Sequence, residues 1–454
     1  TVLPGFVDAH VHLTSTGMSL TNADVAAARS RAELLALAAG RARAEQDPVV
    51  ALQGFDETRW DDPAVPTRAE LDAVTDRPLV IARADGHVSL ANTPAITFAQ
   101  VGDLTGTERD ADGPTGRVVG EANRKLSRWL TESLTAHRVE ELQLAAASLA
   151  ASNGVTAVHE MSMPHERGQR DLEVVLGHRD RLPVDVWVVV ASMDVPGAVE
   201  LGLPAIGGDL AADGSIGART AALREPYADT AGEGSLAFAD DELAGFFHDA
   251  HDAGLQVGMH AIGDRAIEQV LVAWERVYAS LDSRERRHFR ARRHRIEHME
   301  MPADDQVERA AMLGLAASVQ PTFDALWGTP GGLYERALGE IRASRMNPFR
   351  TMVDRGLVVG AGSDAPVTPL EPWRTVAALE AHHDPAQRLG RREAILLHTA
   401  GSARLAHQEE KKGALGPGSH ADFAAYEVDP LEAPDVRSLR PVLTVSLGRE
   451  VFAR

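Results

Sequence analysis

Two histidines one residue apart, His10-Val-His12, close an apolar run that begins at Phe6. In a strand, side chains at i and i+2 point to the same side, so both imidazoles can meet one metal ion. Standing alone, such a pair reads more readily as two hydrogen-bonded histidines at a strand end. Three further residues change that balance. His260 closes Leu255-Gln-Val-Gly-Met-His260, His298 follows Arg295-Ile-Glu, and Asp364 closes Gly360-Ala-Gly-Ser-Asp364. Four imidazoles and a carboxylate suit a borderline divalent ion, zinc first. Such an ion polarises a carbonyl and lowers the pKa of a bound water to about 7. His294, Ile296 and His298 fall on one face of an ideal strand, so His294 also admits a plain role as a buried, hydrogen-bonded partner.

These residues must be carried to one place, and the order of segments provides the means. From about residue 137 an amphipathic segment, a glycine and a short apolar strand recur, with glycines at 154, 254, 314 and 356. Asp240 and Asp241 are candidate N-caps for a helix whose Leu243, Phe246, Phe247 and Ala250 share one face. Strands are expected over 6–12, 155–160, 184–192, 209–214, 255–260, 294–300, 315–320 and 357–364. Eight strands alternating with helices predict an α/β fold, a closed (β/α)8 TIM-like barrel, whose active site gathers at the C-terminal strand ends. The barrel is expected over 5–407. The first and second strands are too far apart for one crossover, so an insertion of about 20–135, rich in Asp, Pro and Gly, is expected over one mouth. Beyond about residue 408 the alternation gives way to short β segments. Residues 1–4 and 408–454 therefore read as a small β-sandwich domain.

Composition narrows the function. Of 454 residues, 44% are hydrophobic and 25% charged, enough apolar content for a large core. The net charge of -20 opposes nucleic acid and anionic lipid. The absence of cysteine excludes disulfides, thiolate metal sites and a cysteine nucleophile. The apolar run around Val184 to Val190 is far shorter than the ~20 residues of a spanning helix, and nothing reads as a signal peptide. A cytoplasmic enzyme acting on a small molecule is the simplest expectation, with a homodimer as the candidate assembly. The chain starts without Met and almost directly on a strand, which suggests that natural sequence precedes residue 1.

The segments Pro4-Gly-Phe-Val-Asp-Ala-His-Val-His12, Met259-His-Ala-Ile-Gly-Asp264, Arg295-Ile-Glu-His298, Gly362-Ser-Asp364 and Gly416-Pro-Gly-Ser-His-Ala-Asp422 together resemble the amidohydrolase superfamily. The insertion and Ala212-Asp-Gly-Ser-Ile-Gly-Ala-Arg-Thr220 are similar to its YtcJ-like branch, which includes N-substituted formamide deformylases. The resemblance implies one or two divalent ions per chain. His10 and His12 would hold the more buried ion, His260 and His298 a second, and Asp364 would contact the first and act as the catalytic base. It also implies hydrolysis of a C–N bond in an amide, formamide or cyclic amide. Deamination or ester hydrolysis is the alternative, as is a degenerate barrel that binds without catalysing. Two departures stand out. Many relatives bridge two ions with a carboxylated lysine of the fourth strand, a register that here falls on Asp209. Its short side chain favours one tightly held ion and a weaker or absent second, with Glu121 or Glu160 as a substitute bridge or an outer partner. The other departure is the lack of strands before residue 1 that would complete the sandwich.

Trp60, Arg83 and His87 of the insertion, and Arg219 of the Asp-Gly-Ser segment, could contact substrate through apolar area and charge. Trp60 is equally suited to a core, and Arg83 and Arg219 to ion pairs. Glu121 and Glu160 could instead be solvated or capping carboxylates.

Overall fold

The computed structural model describes residues 1–21, 23–44, 47–57, 60–83 and 88–454. In chain order the strands are β1 Val2–Pro4, β2 Phe6–Val11, β3 Ala23–Asp24, β4 Val50–Phe55, β5 Leu79–Arg83, β6 Val88–Ala91, β7 Thr107–Asp110 and β8 Gly113–Val119. They continue with β9 Val155–Ser162, β10 Asp185–Val190, β11 Ala205–Ile206, β12 Gln256–Ala261, β13 Arg295–His298, β14 Ala316–Val319, β15 Val358–Ala361, β16 Phe423–Ala425, β17 Leu443–Ser446 and β18 Arg449–Ala453. Two compact units result. One comprises Thr1–Leu13, Ala146–Ser162 and His178–Arg454, the other Thr14–Ala145 and Met163–Gly177.

The first unit contains the expected barrel. Eight parallel strands run in the order β15-β14-β13-β12-β11-β10-β9-β2, and helices follow the strands. The strands are buried on both faces, and in Val155–Ser162 every residue is buried, polar ones included. The circle closes between β15 and β2 with little ladder. There a single bridge joins Val11 to Ala365, with hydrogen bonds from His12 N to Ala365 O (3.0 Å) and from Asp364 N to His10 O (2.8 Å). The Asp8 carboxylate adds a side-chain clasp by accepting from Ser363 N at 2.9 Å. Gly362 leaves room for it, since a Cβ there would stand 2.7 Å from His10 N and 2.8 Å from Asp8 Oδ1.

The fourth strand corrects the sequence expectation. It was placed over 209–214, but the ladder lies at Ala205–Ile206, and within 209–214 only an isolated bridge joins Ala211 to His260. Gly207 (φ 84°) and Gly208 (φ 55°) adopt left-handed conformations that end the strand and turn the chain inward against β12. A Cβ on Gly207 would lie 2.1 Å from Gly258 O, and one on Gly258 would lie 2.8 Å from Gly208 Cα. Asp209 therefore leaves a strand end instead of beginning a strand. Residues 209–239 that follow contain no helix or regular strand.

In the same unit β1, β16, β17 and β18 form an antiparallel sheet in that order. The second unit has a mixed sheet of its own, β3-β4-β5-β6-β8-β7, packed on a core that includes Leu34, Leu52, Phe55 and Ile81. The sequence reading assigned no sheet to the insertion. Its polar, turn-rich text hides strands only two to seven residues long, such as Ala23–Asp24, Val88–Ala91 and Gly113–Val119. Among the described residues no helix is long and apolar enough to cross a membrane.

Candidate metal centre

The C-terminal ends of β2, β12, β13 and β15 bring His10, His12, His260, His298 and Asp364 together. Each ring has its outer nitrogen occupied by an acceptor. His10 Nδ1 donates to Glu297 Oε2 at 3.0 Å and His12 Nδ1 to Met161 O at 3.0 Å. His298 Nδ1 donates to Gln320 Oε1 at 2.8 Å, and His260 Nε2 faces Gly214 O at 3.3 Å. With the proton assigned to that outer nitrogen, every neutral ring turns a lone pair toward the same centre. His10 Nε2 and Asp364 Oδ1 are buried there without a hydrogen-bond partner, 3.6 Å apart. His12 Nε2 lies 3.1 Å from the same Asp364 oxygen. Orphaned acceptors in so tight a group fit a divalent cation, and His10, His12 and Asp364 form one set able to hold it.

Asp209 stands in the middle of this group. Its Oδ1 is 3.1 Å from His260 Nδ1, 3.3 Å from His298 Nε2 and 3.8 Å from His10 Nε2, while Oδ2 is 3.5 Å from His12 Nε2. The two-glycine turn before it moves the backbone inward, offsetting the short side chain. His10, Asp209 and His298 make a second possible ligand set that shares His10 with the first. His298 reaches the centre by a backbone device as well. In β13, Arg295 and Glu297 occupy the lumen face, and His298 rejoins them only because its φ is 69°. Asp364 likewise has φ 53°. Such conformations cost on the order of 1–3 kcal/mol each and tend to persist at functional sites.

Electrostatics follows from this crowding. Burial alone would lower His12 and His298. The Asp364 carboxylate beside His12 raises it to about 9, and Asp209 beside His298 raises it to about 10. Burial would raise Asp209, but hydrogen bonds from His260 and His298 and the charge of His10 hold it well below the usual carboxylate range. Without an ion, then, protons bind the ring nitrogens that an ion would need. Because both histidine values are raised, those protons are present at every pH below about 9 and are lost only above it. Metal affinity is therefore expected to fall as pH falls, and loading at pH 7 is expected to release about two protons per centre. Calorimetry in buffers of different ionisation enthalpy measures that number, and release of none would contradict the protonated pairs.

The other candidates lie elsewhere. His294 is stacked on Trp274 at 4.0 Å, outside the lumen, and accepts from Val257 N at 3.0 Å. Glu160 is buried at the end of β9 and accepts from Leu13 N at 2.7 Å, next to His12. Arg219, in the segment after β11, grips Asp229 through Nε at 2.9 Å and donates to Ile216 O at 2.8 Å. Three belong to the second unit. Trp60 is buried in its core and donates to Ala28 O at 3.0 Å. Arg83 pairs with Glu57 at 2.8 Å and Asp56 at 3.4 Å. Glu121 is exposed in the first turn of the helix Gly120–Ser133. His87 lies outside the described residues.

Two carboxylates that sequence reasoning missed support the centre. Glu297 receives His10, and Arg295 contacts its Oε1 at 2.7 Å. Burial would raise Glu297, but the Arg295 guanidinium and the His10 bond hold it at about 2. Asp213 accepts from Ile262 N (3.0 Å), Gly263 N (2.8 Å) and Ala222 N (2.8 Å), tying the segment after β11 to the one after β12 beside His260. Glu297 stands one place before a ligand, which in a regular strand would put it on the opposite face. Nothing in the sequence announces the turn at His298.

Comparison with known proteins agrees with this architecture. YtcJ of Bacillus subtilis (strain 168), an amidohydrolase by name, is 28% identical over the whole of this chain and 89% of its own length. N-substituted formamide deformylase of Arthrobacter pascens is 27% identical over 43% of this chain and 36% of its own. The crystal structure of an uncharacterized metal-dependent hydrolase from Pyrococcus furiosus superposes with a TM-score of 0.81 at 29% identity, covering 95% of this chain and 88% of that one. The amidohydrolase family model matches residues 1–452, and a match of that extent over a barrel of this build makes the chain a member of the amidohydrolase family.

Proposed function

We propose that this protein hydrolyses a C–N bond in a small amide, formamide or cyclic amide, with two divalent ions, zinc first, held at the barrel mouth. The observation that carries the reading is Asp364. It is a buried carboxylate with one unpartnered oxygen, 3.1 Å from His12 Nε2, at the rim where barrel enzymes do their chemistry. The names of YtcJ and the formamide deformylase support C–N bonds as the target class. A divalent ion in this donor set supplies Lewis acidity toward a carbonyl and acidifies a water beside it. Asp364 takes the proton of the attacking water and delivers it to the departing nitrogen, which otherwise leaves as a poor, anionic group. His10 and His12, fixed by Glu297 and Met161 O, keep their inner nitrogens aimed at the centre. Asp209, within reach of all four histidines, would help hold the metal, which supports a second ion against the single tight ion expected from the length of its side chain.

The test combines metal analysis with a hydrolysis screen over N-formyl amines, N-acyl amino acids and cyclic amides, with amino-substituted heterocycles and esters as comparison arms. The expected result is turnover in an amide arm, abolished by chelation and restored by zinc. Turnover confined to the heterocycle or ester arms would replace the proposed bond. A chain with neither a stoichiometric ion nor turnover would be a binding barrel.

A further inference from the structure

Barrel lumens of this size are ordinarily filled by branched aliphatic side chains. Here the lumen face of β13 carries a guanidinium and a carboxylate, with Arg295 1% and Glu297 0% exposed. The two are joined by one hydrogen bond and a close ionic contact. Arg295 Nε meets Glu297 Oε1 at 2.7 Å, and one terminal nitrogen donates to Glu297 Oε2 at 2.9 Å. The same nitrogen donates to Ala9 O at 2.9 Å, and the other faces His159 Nδ1 at 3.1 Å. Glu297 Oε2 in turn receives the His10 Nδ1 proton. The barrel makes space for this pair: a Cβ at Gly258 would come within 3.0 Å of Glu297 Oε1.

Resting on the reading of the centre given above, we propose that the buried Arg295–Glu297 pair is a positioning device that fixes His10 and sets how tightly the centre retains metal, and is not needed for the stability of the barrel. Three observations converge on it. A buried ion pair is a poor stabiliser, since a well-packed apolar pair of similar volume is often as stable or more so. Among the four rings of the centre, only His10 has a carboxylate at hydrogen-bond distance from its outer nitrogen: the other partners are the carbonyls Met161 O and Gly214 O and the amide oxygen of Gln320, with Asp213 standing farther from His260 Nε2 at 3.8 Å. His10 is also the residue common to both candidate sets, so its orientation bears on whichever of the two would hold an ion. A carboxylate acceptor fixes the tautomer of a ligating imidazole and makes its other nitrogen more basic, and losing such a partner typically weakens metal affinity 10–100-fold.

The test separates retention from stability. Glu297→Gln keeps an acceptor oxygen but removes its charge, and the double variant R295M/E297L exchanges the pair for apolar side chains. The zinc dissociation constant by chelator competition, and the unfolding midpoint of the metal-stripped chain, are read for each against the unaltered protein. The expected result is zinc affinity roughly 10–100-fold weaker in both variants, with the stripped double variant unfolding at or above the midpoint of the original chain. Zinc affinity within twofold of the original in Glu297→Gln would overturn the proposal, and so would a double variant that fails to fold, because the pair would then serve the barrel itself. An unaltered chain that holds no stoichiometric ion would sink the reading of the centre and this inference together. An unaltered chain that holds zinc no better than Glu297→Gln would sink this inference alone.

Discussion

Asp364→Asn is expected to lower kcat by roughly 10²–10⁴-fold while leaving the fold in place. The substitution keeps the shape of the side chain and removes its capacity to take a proton. The backbone tolerates it well. Asp364 has φ 53°, and asparagine is among the few residues that enter the left-handed region readily. The backbone bond from Asp364 N to His10 O at 2.8 Å also survives. Alanine is the worse probe, since it adds a conformational cost of roughly 1–2 kcal/mol at that φ and confuses lost chemistry with lost closure. Steady-state kinetics with the amide found in the screen, beside circular dichroism and a thermal melt, makes the comparison. Activity within a few-fold of the unaltered enzyme would end the assignment of Asp364 as the base.

Removing the Asp209 carboxylate is expected to change metal stoichiometry. The unaltered chain, purified without added metal and then titrated, should take two ions, and Asp209→Ala at most one. Turnover should fall by at least about 100-fold, because even the loss of a partner one bond removed from a ligand costs 10–100-fold. The reason is position: one carboxylate lies within 3.8 Å of a nitrogen from each of the four rings. Atomic absorption on the two proteins decides it. Two ions retained by Asp209→Ala would remove Asp209 from the centre, and one ion in both proteins would restore the single-ion expectation.

Much of this was legible because barrels write their plan into sequence. The recurring glycines after amphipathic segments marked helix ends, and the apolar runs marked strands buried on both faces. Candidate ligands at strand ends follow from the same grammar, hence His10, His12, His260 and Asp364. What stayed hidden depends on backbone torsions at single residues. The inward turn at Gly207 and Gly208 displaced the fourth strand from 209–214 to Ala205–Ile206, and with it the meaning of Asp209. A side chain judged too short on a regular strand becomes central once the chain beneath it moves. The left-handed His298 similarly breaks the alternation that would have exposed Glu297 as a neighbour of His10. The carboxylates of Glu297 and Asp213 had no signal of their own, since their partners are a distant ring or backbone N–H groups far away in the chain.

The seam that closes the barrel also sets an order of events during synthesis. Ser363 and Asp8, whose clasp joins β15 to β2, are 355 positions apart, and His10 and Glu297 are 287 apart. At about 5–20 residues per second, a ribosome needs on the order of half a minute between the first of these partners and the last. Until β15 is made, β2 has β9 beside it on one edge but not the neighbour that closes the circle, and His10 and His12 lack the carboxylates of Glu297 and Asp364. On the proposed function, the donor set would be incomplete until the barrel closes, so an ion would be held firmly only by the finished barrel.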